Sequence, residues 1–171
     1  MAWNESRGNV FRDFKGVDHI RTHEPVRDRP SAYAVVQRDH RILIVYPQKG
    51  LPCWEIPGGG IEEGESLEEA VTREFMEETG YAVRRIAGRE PVHFTEQNFH
   101  YFDQFCNSVI SVVHGELIHE IQDESKINSS PDDPNEIARV EWLLLADITE
   151  DMVHPIHWPA IRKIRADDEG D

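Results

Sequence analysis

The sequence contains little cysteine, and this scarcity excludes one class of protein. Only Cys53 and Cys106 occur among the 171 residues, too few for a small domain stapled by disulfides. Neither has the positively charged surroundings that activate a catalytic thiol. We therefore expect both cysteines to be buried as small apolar residues.

Long apolar runs are also missing. No stretch approaches the roughly 20 apolar residues of a membrane-spanning helix. The N-terminus also lacks the apolar core of a secretory signal. These absences predict a protein that stays in the cytoplasm and has no membrane partner.

Positive charge is scarce as well, with 18 Lys and Arg against 33 Asp and Glu, a formal net charge of −15. Binding to a nucleic-acid duplex depends on basic contacts to phosphate, so the composition argues against such a partner. A phosphate-containing small molecule remains compatible, because metal ions can bridge two negative partners. The basic residues are unevenly spread, and six of them lie between positions 7 and 29: Arg7, Arg12, Lys15, Arg21, Arg27 and Arg29.

What is present fits one soluble globular domain. Hydrophobic residues make up 39% and charged residues 30% of the chain, and the length is sufficient for a proper core. No internal repeat or second domain is visible. We predict an N-terminal extension at 1–30, a folded domain at 31–166 and an acidic disordered tail at 167–171. Aromatic residues in the extension could pack on the domain or on a second subunit, which makes a homodimer possible.

The apolar pattern predicts mostly strands. Runs at 31–37 and 41–46 are nearly all apolar, which indicates a hairpin covered on both faces. Further strands are predicted at 54–56, 81–86, 94–99, 101–114 and 136–145, with a helix near 159–165. The polar run at 122–135 is predicted to be a loop bordering the substrate opening.

Residues 59–81, GGIEEGESLEEAVTREFMEETGY, are the most informative stretch. Ser66 followed by Glu69 is a capping box, so a helix should begin near Leu67. Gly80 supplies the left-handed residue that commonly ends a helix. Glycines at 58, 59 and 60 precede this helix and let the backbone approach a ligand closely.

Three glutamates of this helix fall at or beside its buried face. At 100° per residue, Glu74 and Glu78 share the stripe of Leu67 and Val71, and Glu77 lies just off it. Like charges one turn apart repel, and partly buried carboxylates without a partner are costly. A divalent cation would resolve the conflict, and an all-oxygen cluster suits Mg²⁺ or Mn²⁺ rather than zinc. The alternative is an ordinary solvated helix with an acidic outer face.

The same stretch resembles the Nudix box, in which glycines, glutamates and an Arg-Glu pair recur at fixed spacing. Every charged and glycine position matches, and only two apolar positions are bulkier than usual. The matching positions are Gly59, Glu65, Arg73, Glu74, Phe75, Glu77, Glu78, Gly80 and Tyr81. The resemblance implies an α/β fold, specifically a Nudix-type α/β/α sandwich with a mixed β-sheet over residues 31–166.

The resemblance also implies metal ligands. Glu74, Glu77 and Glu78 would hold Mg²⁺, with Mn²⁺ as the alternative cation, together with a backbone carbonyl at Gly58. Glu74 could act as the general base instead. A further ligand often comes from outside the box, ahead of a late tryptophan, and Glu136 fits that position. Its competitors in this acidic chain are Glu116, Glu120 and Glu124.

Supporting roles follow for the remaining box residues. Arg73 would orient the carboxylates with Glu65 as its partner, or the two would form a plain salt bridge without catalytic duty. Gly59 and Gly60 would approach the substrate. His154 and His157 are interpreted as surface or packing residues, because no third metal ligand accompanies them.

The implied activity is Mg²⁺-dependent hydrolysis of a diphosphate linkage in a nucleoside diphosphate derivative. A nucleoside triphosphate, ADP-ribose and a nucleotide sugar all remain open as the small-molecule substrate. One alternative is a non-catalytic nucleotide-sensing module on the same fold. Another is a diphosphate isomerase, which would require a catalytic cysteine in the pocket.

Overall fold

The computed structural model describes residues 9–13, 15, 17–48, 51–101, 103–127 and 137–168. Within these ranges the two α-helices are α1 (Leu67–Thr79) and α2 (Trp158–Asp168). The strands are β1 (Val10–Arg12), β2 (Asp18–Ile20), β3 (Val26–Arg38), β4 (Arg41–Pro47), β5 (Gly58–Gly60), β6 (Val83–Arg85), β7 (His93–Tyr101), β8 (Gln104–Leu117) and β9 (Ile137–Leu144). Short 3₁₀ helices occupy Glu124–Lys126, Leu145–Asp147 and Glu150–Met152.

The strands form a mixed sheet. The main order is β2-β1-β7-β8-β3-β4-β9, with β5 paired to β3 and β6 paired to β8. The long β3–β8 pair is parallel, whereas β7–β8 and β4–β9 are antiparallel. Both parallel and antiparallel pairs therefore occur, as predicted.

A helix covers each face of the sheet. On one face, Ala32 and Ala34 of β3 pack with Val71 and Phe75 of α1. On the other, the alternate β3 residues pack with α2, and the contacting set includes Tyr33, Val35, Ile110, Val112, Ala160, Ile161 and Ile164. Because successive side chains of a strand point to opposite faces, one apolar strand can contribute to both cores. The predicted α/β/α sandwich is confirmed.

The predicted hairpin is confirmed, but its first strand is longer than expected. β3 and β4 are joined through Asp39 and His40, both of which have positive φ. β3 begins at Val26 because residues 26–30 pair in parallel with β8. The sheet therefore includes the last residues of the predicted extension, and β1 and β2 add two more short strands of that segment beside β7. A separate role for the extension stays a prediction.

The predicted strand at 54–56 is wrong. Trp54 and Glu55 form only isolated bridges, to Val153 and Val45 respectively. Regular pairing falls instead on the glycines of β5, which lie opposite residues 31–33 of β3. The glycines that sequence analysis places in a loop are thus an element of the sheet.

Helix α2 extends beyond its predicted end. Asp167 and Asp168, expected in a disordered tail, form its last residues. Asp168 accepts hydrogen bonds from the side chains of Gln37 and His40, which attaches the end of α2 to the β3–β4 hairpin. Residues 169–171 lie outside the described residues.

Neither of the two described helices has the length and apolar character needed to cross a membrane. The candidate site lies where α1 meets β5, which pairs with β3. The positions of α1, β5 and β3 therefore decide the geometry of the site.

Candidate active site

Local sequence signals set both ends of α1. The Ser66 side chain accepts from the Glu69 backbone N–H, and the Glu69 side chain accepts from the Ser66 N–H. Gly80, with φ of 71°, donates its N–H to Met76 O at 2.9 Å. The predicted capping box and left-handed end are both confirmed, and they fix which helix face carries each glutamate.

The backbone of β5 lies directly on β3. Gly58 has φ of 141°, and a Cβ added there would lie 2.3 Å from Ala32 O and 2.5 Å from Tyr33 Cα. No side chain can fit that gap without moving β3 or β5. Glycine at this position is therefore a requirement of the strand pairing.

Gly59 performs a different task, because it makes room for a carboxylate. A Cβ at Gly59 would lie 2.7 Å from the carboxyl carbon and Oε1 of Glu74. The Glu74 side chain is 18% exposed, so the carboxylate lies against glycine backbone rather than in bulk solvent. Burial raises the pKa of Glu74, the adjacent Arg73 lowers it, and the charges of Glu77 and Glu65 raise it.

Glu78 is the second carboxylate that contacts β5. It is partly buried, and its Oε2 accepts a hydrogen bond from the Gly58 N–H at 2.9 Å. Burial raises the pKa of Glu78 well above its usual range; the Gly58 hydrogen bond opposes this shift, and nearby carboxylates, Glu74 first, reinforce it. A negative charge at Glu78 is thus costly in the protein without a bound cation.

Arg73 connects the glycine strand to three glutamates. Its Nε and Nη2 donate to the two carboxylate oxygens of Glu65 at 2.9 and 2.8 Å. Its Nη1 donates to Glu74 Oε1 at 2.8 Å and lies 3.5 Å from Glu77 Oε2. Nη2 also donates to Gly60 O at 3.0 Å. The predicted Arg73–Glu65 pair is present, and a catalytic role for either residue stays a prediction.

Glu77 lies at the edge of the site, with 52% of its side chain exposed. Among the residues described, no three His, Cys, Asp or Glu side chains converge as a ready-made metal site. The bond from Arg73 holds Glu74 in this arrangement. The Arg73 bond uses only Oε1 of Glu74, so a cation could still bind at the second oxygen of that carboxylate.

The remaining predicted ligand and its competitors are placed as follows. Glu136 lies outside the described residues. Glu116 pairs with Arg84 at 2.8 Å, and Glu120 accepts from Arg38, so both carboxylates have partners elsewhere on the surface. The start of the predicted polar loop contacts the end of α1, where Gln122 Nε2 donates to Thr79 O at 2.8 Å.

Sequence reasoning missed a polar group on the other face of β3. His157 is fully buried, and neither ring nitrogen has a hydrogen-bond partner within the described ranges. Its Nε2 lies 3.9 Å from Glu55 Oε2, and its ring meets the Tyr33 ring edge-on at 4.7 Å. Burial lowers the pKa of the neighbouring His154 to about 4, so that ring is neutral near pH 7.

No spacing in the sequence relates Glu55 to His157. The contact arises because the Trp54 backbone exchanges hydrogen bonds with Met152 O and the His154 N–H. These bonds attach the segment preceding α2 to the segment preceding β5. A buried histidine therefore lies beside the strand that carries the glycines.

Both cysteines are free and buried, as predicted. Burial, together with the charge of Glu55, raises the pKa of Cys53 to about 11. A thiol held in its protonated form is a poor nucleophile. This does not support the isomerase alternative.

Chemically, the site combines partly buried carboxylates with exposed backbone edges of a glycine strand. Oxygen donors of this kind suit a hard divalent cation. The raised pKa of Glu78 shows that its negative charge is unfavourable in the protein alone. A bound cation would offset that negative charge and would therefore be favoured. The donor set therefore fits Mg²⁺ or Mn²⁺ by its chemistry.

Comparison with known proteins identifies the family of this chain. The family model for the NUDIX domain matches residues 27–164. An RNA pyrophosphohydrolase from Dinoroseobacter shibae is 53% identical over 36 residues, or 21% of this chain and 22% of that protein. An ADP-ribose pyrophosphatase from Methanocaldococcus jannaschii is 46% identical over 50 residues, or 27% of this chain and 28% of that protein. The aligned segments thus span less than a third of these two curated relatives.

Solved structures agree at the level of the fold. A NUDIX hydrolase from Nitrosomonas europaea superposes with a TM-score of 0.66 and 19% identity, over 82% of this chain and 90% of that chain. The family match covers most of the sequence, and the structural likeness agrees with it at the level of the fold. The chain belongs to the NUDIX domain family.

Proposed function

We propose that this protein is a Mg²⁺-dependent hydrolase that cleaves a diphosphate linkage in a nucleoside diphosphate derivative. The observation that carries the proposal is the placement of Glu74 and Glu78 against the glycine backbone of β5. Two partly buried carboxylates so close together are unfavourable unless positive charge joins them. The pyrophosphatase names of the relatives support the same chemistry.

Glu74, Glu77, Glu78 and the Gly58 carbonyl would hold the cation. A bound Mg²⁺ supplies positive charge that offsets the phosphate oxygens and orients the diphosphate for in-line attack. Mn²⁺ has similar ligand preferences and could replace it. Glu136 is proposed as an additional ligand on the basis of its sequence position alone.

The reaction consumes one water molecule. The water oxygen forms a bond to one phosphorus while the bond from that phosphorus to the bridging oxygen breaks. One proton of the water passes to a carboxylate, for which we propose Glu74, and the bridging oxygen leaves with the second phosphate. The products are a nucleoside monophosphate and the phosphorylated remainder of the substrate, which is pyrophosphate when the substrate is a triphosphate.

Other residues of the chain position the reacting groups. Arg73 holds Glu65 and Glu74 in a fixed orientation and also donates to Gly60 O, so it links the helix to the glycine strand. The absence of side chains at Gly59 and Gly60 would let phosphate oxygens approach the backbone. Such positioning is a large part of what a hydrolase contributes to attack on phosphorus.

A substrate screen tests the proposal. Nucleoside triphosphates, ADP-ribose and nucleotide sugars are incubated with Mg²⁺, and the products are separated by anion-exchange chromatography. We expect a nucleoside monophosphate from at least one compound with wild-type protein, and its formation at least about 100-fold slower with Glu78→Gln. Tight nucleotide binding without turnover of any compound would support the nucleotide-sensing alternative and reject the hydrolase.

A further inference from the structure

The C-terminal end of α1, which presents two of the box glutamates, is electrostatically unfavourable. Its last turn, residues 76–79, contains Glu77 and Glu78 and no basic residue. The carbonyl end of a helix carries partial negative charge, so acidic side chains destabilise a helix there. This turn therefore needs stabilisation from outside the helix.

A segment far along the chain supplies that stabilisation. The Gln122 Nε2 donates to Thr79 O at 2.8 Å, across 43 residues of sequence, and the Asp123 N–H donates to Gly80 O at 2.8 Å. The last carbonyls of a helix have no partner within the helix. These two donors thus satisfy groups that α1 cannot satisfy itself, and we call Gln122 and Asp123 the capping segment.

The capping segment fits closely against the helix end. A Cβ added at Gly80 would lie 2.6 Å from Asp123 O and 3.2 Å from Gln122 Cγ. Thr79 is fully buried, and its hydroxyl already donates to Phe75 O at 2.5 Å. Loss of the Gln122 amide would therefore remove a hydrogen-bond donor from a carbonyl at a buried position, which is costly.

Asp123 is also held by its own local turn. Its Oδ1 accepts from the Ser125 N–H at 3.1 Å and from Ser125 Oγ at 2.6 Å. The Lys126 N–H donates to Asp123 O at 3.0 Å. The capping segment is thus anchored at the start of the 3₁₀ helix Glu124–Lys126, so it can act as a fixed support for α1.

Glu78 lies between two attachments of the helix end. Its carboxylate accepts from the Gly58 N–H at 2.9 Å, and the carbonyl of the next residue, Thr79, accepts from Gln122. Glu77 and Glu78 are neighbours on the same turn of backbone. A shift of that turn would therefore move both carboxylates relative to β5.

We propose that Gln122, together with the Asp123 N–H, positions the last turn of α1 so that Glu77 and Glu78 can hold one divalent cation. Gln122 is a positioning residue, because it acts through the helix end and not on the substrate. The inference rests on the proposed function, since it takes the box glutamates as the cation ligands. Loss of the Gln122 amide then weakens cation binding, and by linkage a bound cation makes the capped helix end harder to open.

Manganese binding tests the first consequence. The electron paramagnetic resonance signal of free Mn²⁺ is titrated for wild type, Gln122→Ala and Gln122→Met, and the binding that Glu78→Gln removes defines the cation site. We expect Gln122→Ala to weaken Mn²⁺ binding at this site by about tenfold, the lower end of the range for groups that support metal ligands. Gln122→Met should weaken it similarly, because methionine keeps the length of the side chain but cannot donate to Thr79 O.

Hydrolysis gives a second readout of the same consequence. The Mg²⁺ concentration for half-maximal rate should rise in Gln122→Ala by the factor found for Mn²⁺. The nucleotide KM at saturating Mg²⁺ should change by less than about twofold, because the capping segment makes no contact with the substrate in this account.

Gln37→Ala is the matched control. The Gln37 Nε2 donates to Asp168 Oδ1 at 2.5 Å and so attaches the end of the other helix, α2, to β3. Gln37 lies at the end of β3 that turns into β4, whereas β5 pairs with residues 31–33. This variant also loses a glutamine bond at a helix end, but its Mn²⁺ affinity should stay within about twofold of wild type. Thermal unfolding of every variant measures the accompanying loss of stability.

Hydrogen exchange of the wild-type protein, followed by NMR, tests the second consequence without any variant. The Asp123 N–H donates to Gly80 O, so its exchange rate reports opening of the capped helix end. Saturating Mg²⁺ should slow this exchange by about the factor measured for Gln122→Ala, since linkage is reciprocal. The Arg21 N–H, which donates to Asn9 O at 2.8 Å in the β1–β2 hairpin, is the control and should not change.

Three results overturn the inference: Gln122→Ala and Gln122→Met that bind Mn²⁺ as wild type does, equal weakening in Gln37→Ala, or an Asp123 amide whose exchange ignores Mg²⁺. If both Gln122 variants fail to fold, the exchange measurement decides alone. If no nucleotide is hydrolysed but Mn²⁺ binding weakens in the Gln122 variants as expected, the proposed function fails and the inference stands. If wild type has no Mn²⁺ site that depends on Glu78, both fail.

Discussion

Substitution of Gly59 by alanine tests the contact between β5 and the candidate catalytic helix. The new methyl group would lie 2.7 Å from the Glu74 carboxyl carbon and Oε1 and 2.8 Å from Oε2. The obstructing atoms belong to the end of a flexible side chain, so the backbone can stay in place while the carboxylate moves. We expect Gly59→Ala to fold but to lose activity.

The size of the effect follows from the geometry. Ordinary contact with a Cβ begins near 3.4 Å, so the carboxylate must withdraw by about 0.7 Å, the difference between 3.4 and 2.7 Å. A displacement approaching 1 Å at a reacting group can cost about 100-fold in rate. Overpacking typically destabilises by about 1–3 kcal/mol, and relief through a mobile side chain favours the lower end. We therefore predict a kcat decrease of roughly 30- to 100-fold and a stability loss of about 1 kcal/mol.

Steady-state kinetics on the substrate found by the screen, together with urea unfolding, measure both quantities. Gly60→Ala is the folding control, because a Cβ there would meet nothing within 4 Å. It should retain wild-type stability to within about 0.5 kcal/mol. A Gly59→Ala variant with wild-type kcat would show that the position of Glu74 against β5 is irrelevant to catalysis.

Two further substitutions probe the glutamates. Glu78→Gln keeps an oxygen that can accept a hydrogen bond from the Gly58 N–H but removes the negative charge. Turnover should therefore fall at least about 100-fold, which corresponds to about 3 kcal/mol in the activation barrier, while thermal unfolding changes little. Unchanged turnover would reject Glu78 as a metal ligand. For Glu65, hydrogen bonding to Arg73 and to the Glu62 N–H lowers the pKa from 4.5 to about 2. A carboxyl group whose pKa is lower in the folded protein than in the unfolded chain stabilises the fold at pH values above its unfolded pKa. That stabilisation is lost as the pH falls towards the folded pKa. The stability difference between wild type and Glu65→Gln should therefore shrink between pH 4.5 and 2, and a constant difference in urea unfolding would contradict the prediction.

Helix α1 was predictable because its signals are local. Ser66, Glu69 and Gly80 act within one or two turns of the helix ends, and short-range hydrogen bonds decide their effect. The helical period then places Glu74 and Glu78 on the same face of the helix as Val71. The acidic site of the box could be derived from these residues without knowledge of the rest of the fold.

Features that depend on distant strands were not predictable in the same way. Gly58 belongs to a strand only because β3 lies beside it, and glycine by itself indicates a turn. Val26 joins β3 through parallel pairing with β8, almost 80 residues away in sequence. The Glu55–His157 contact likewise depends on how two separate segments meet.

Removal of divalent cations tests the central claim most directly. Protein treated with EDTA is assayed for hydrolysis of the preferred nucleotide while circular dichroism follows the fold, and Mg²⁺ is then restored. The account predicts that hydrolysis is abolished in EDTA, that the fold persists, and that activity returns with Mg²⁺. Full activity in EDTA would contradict a cation held by the box glutamates, and unfolding in EDTA would make the cation structural instead.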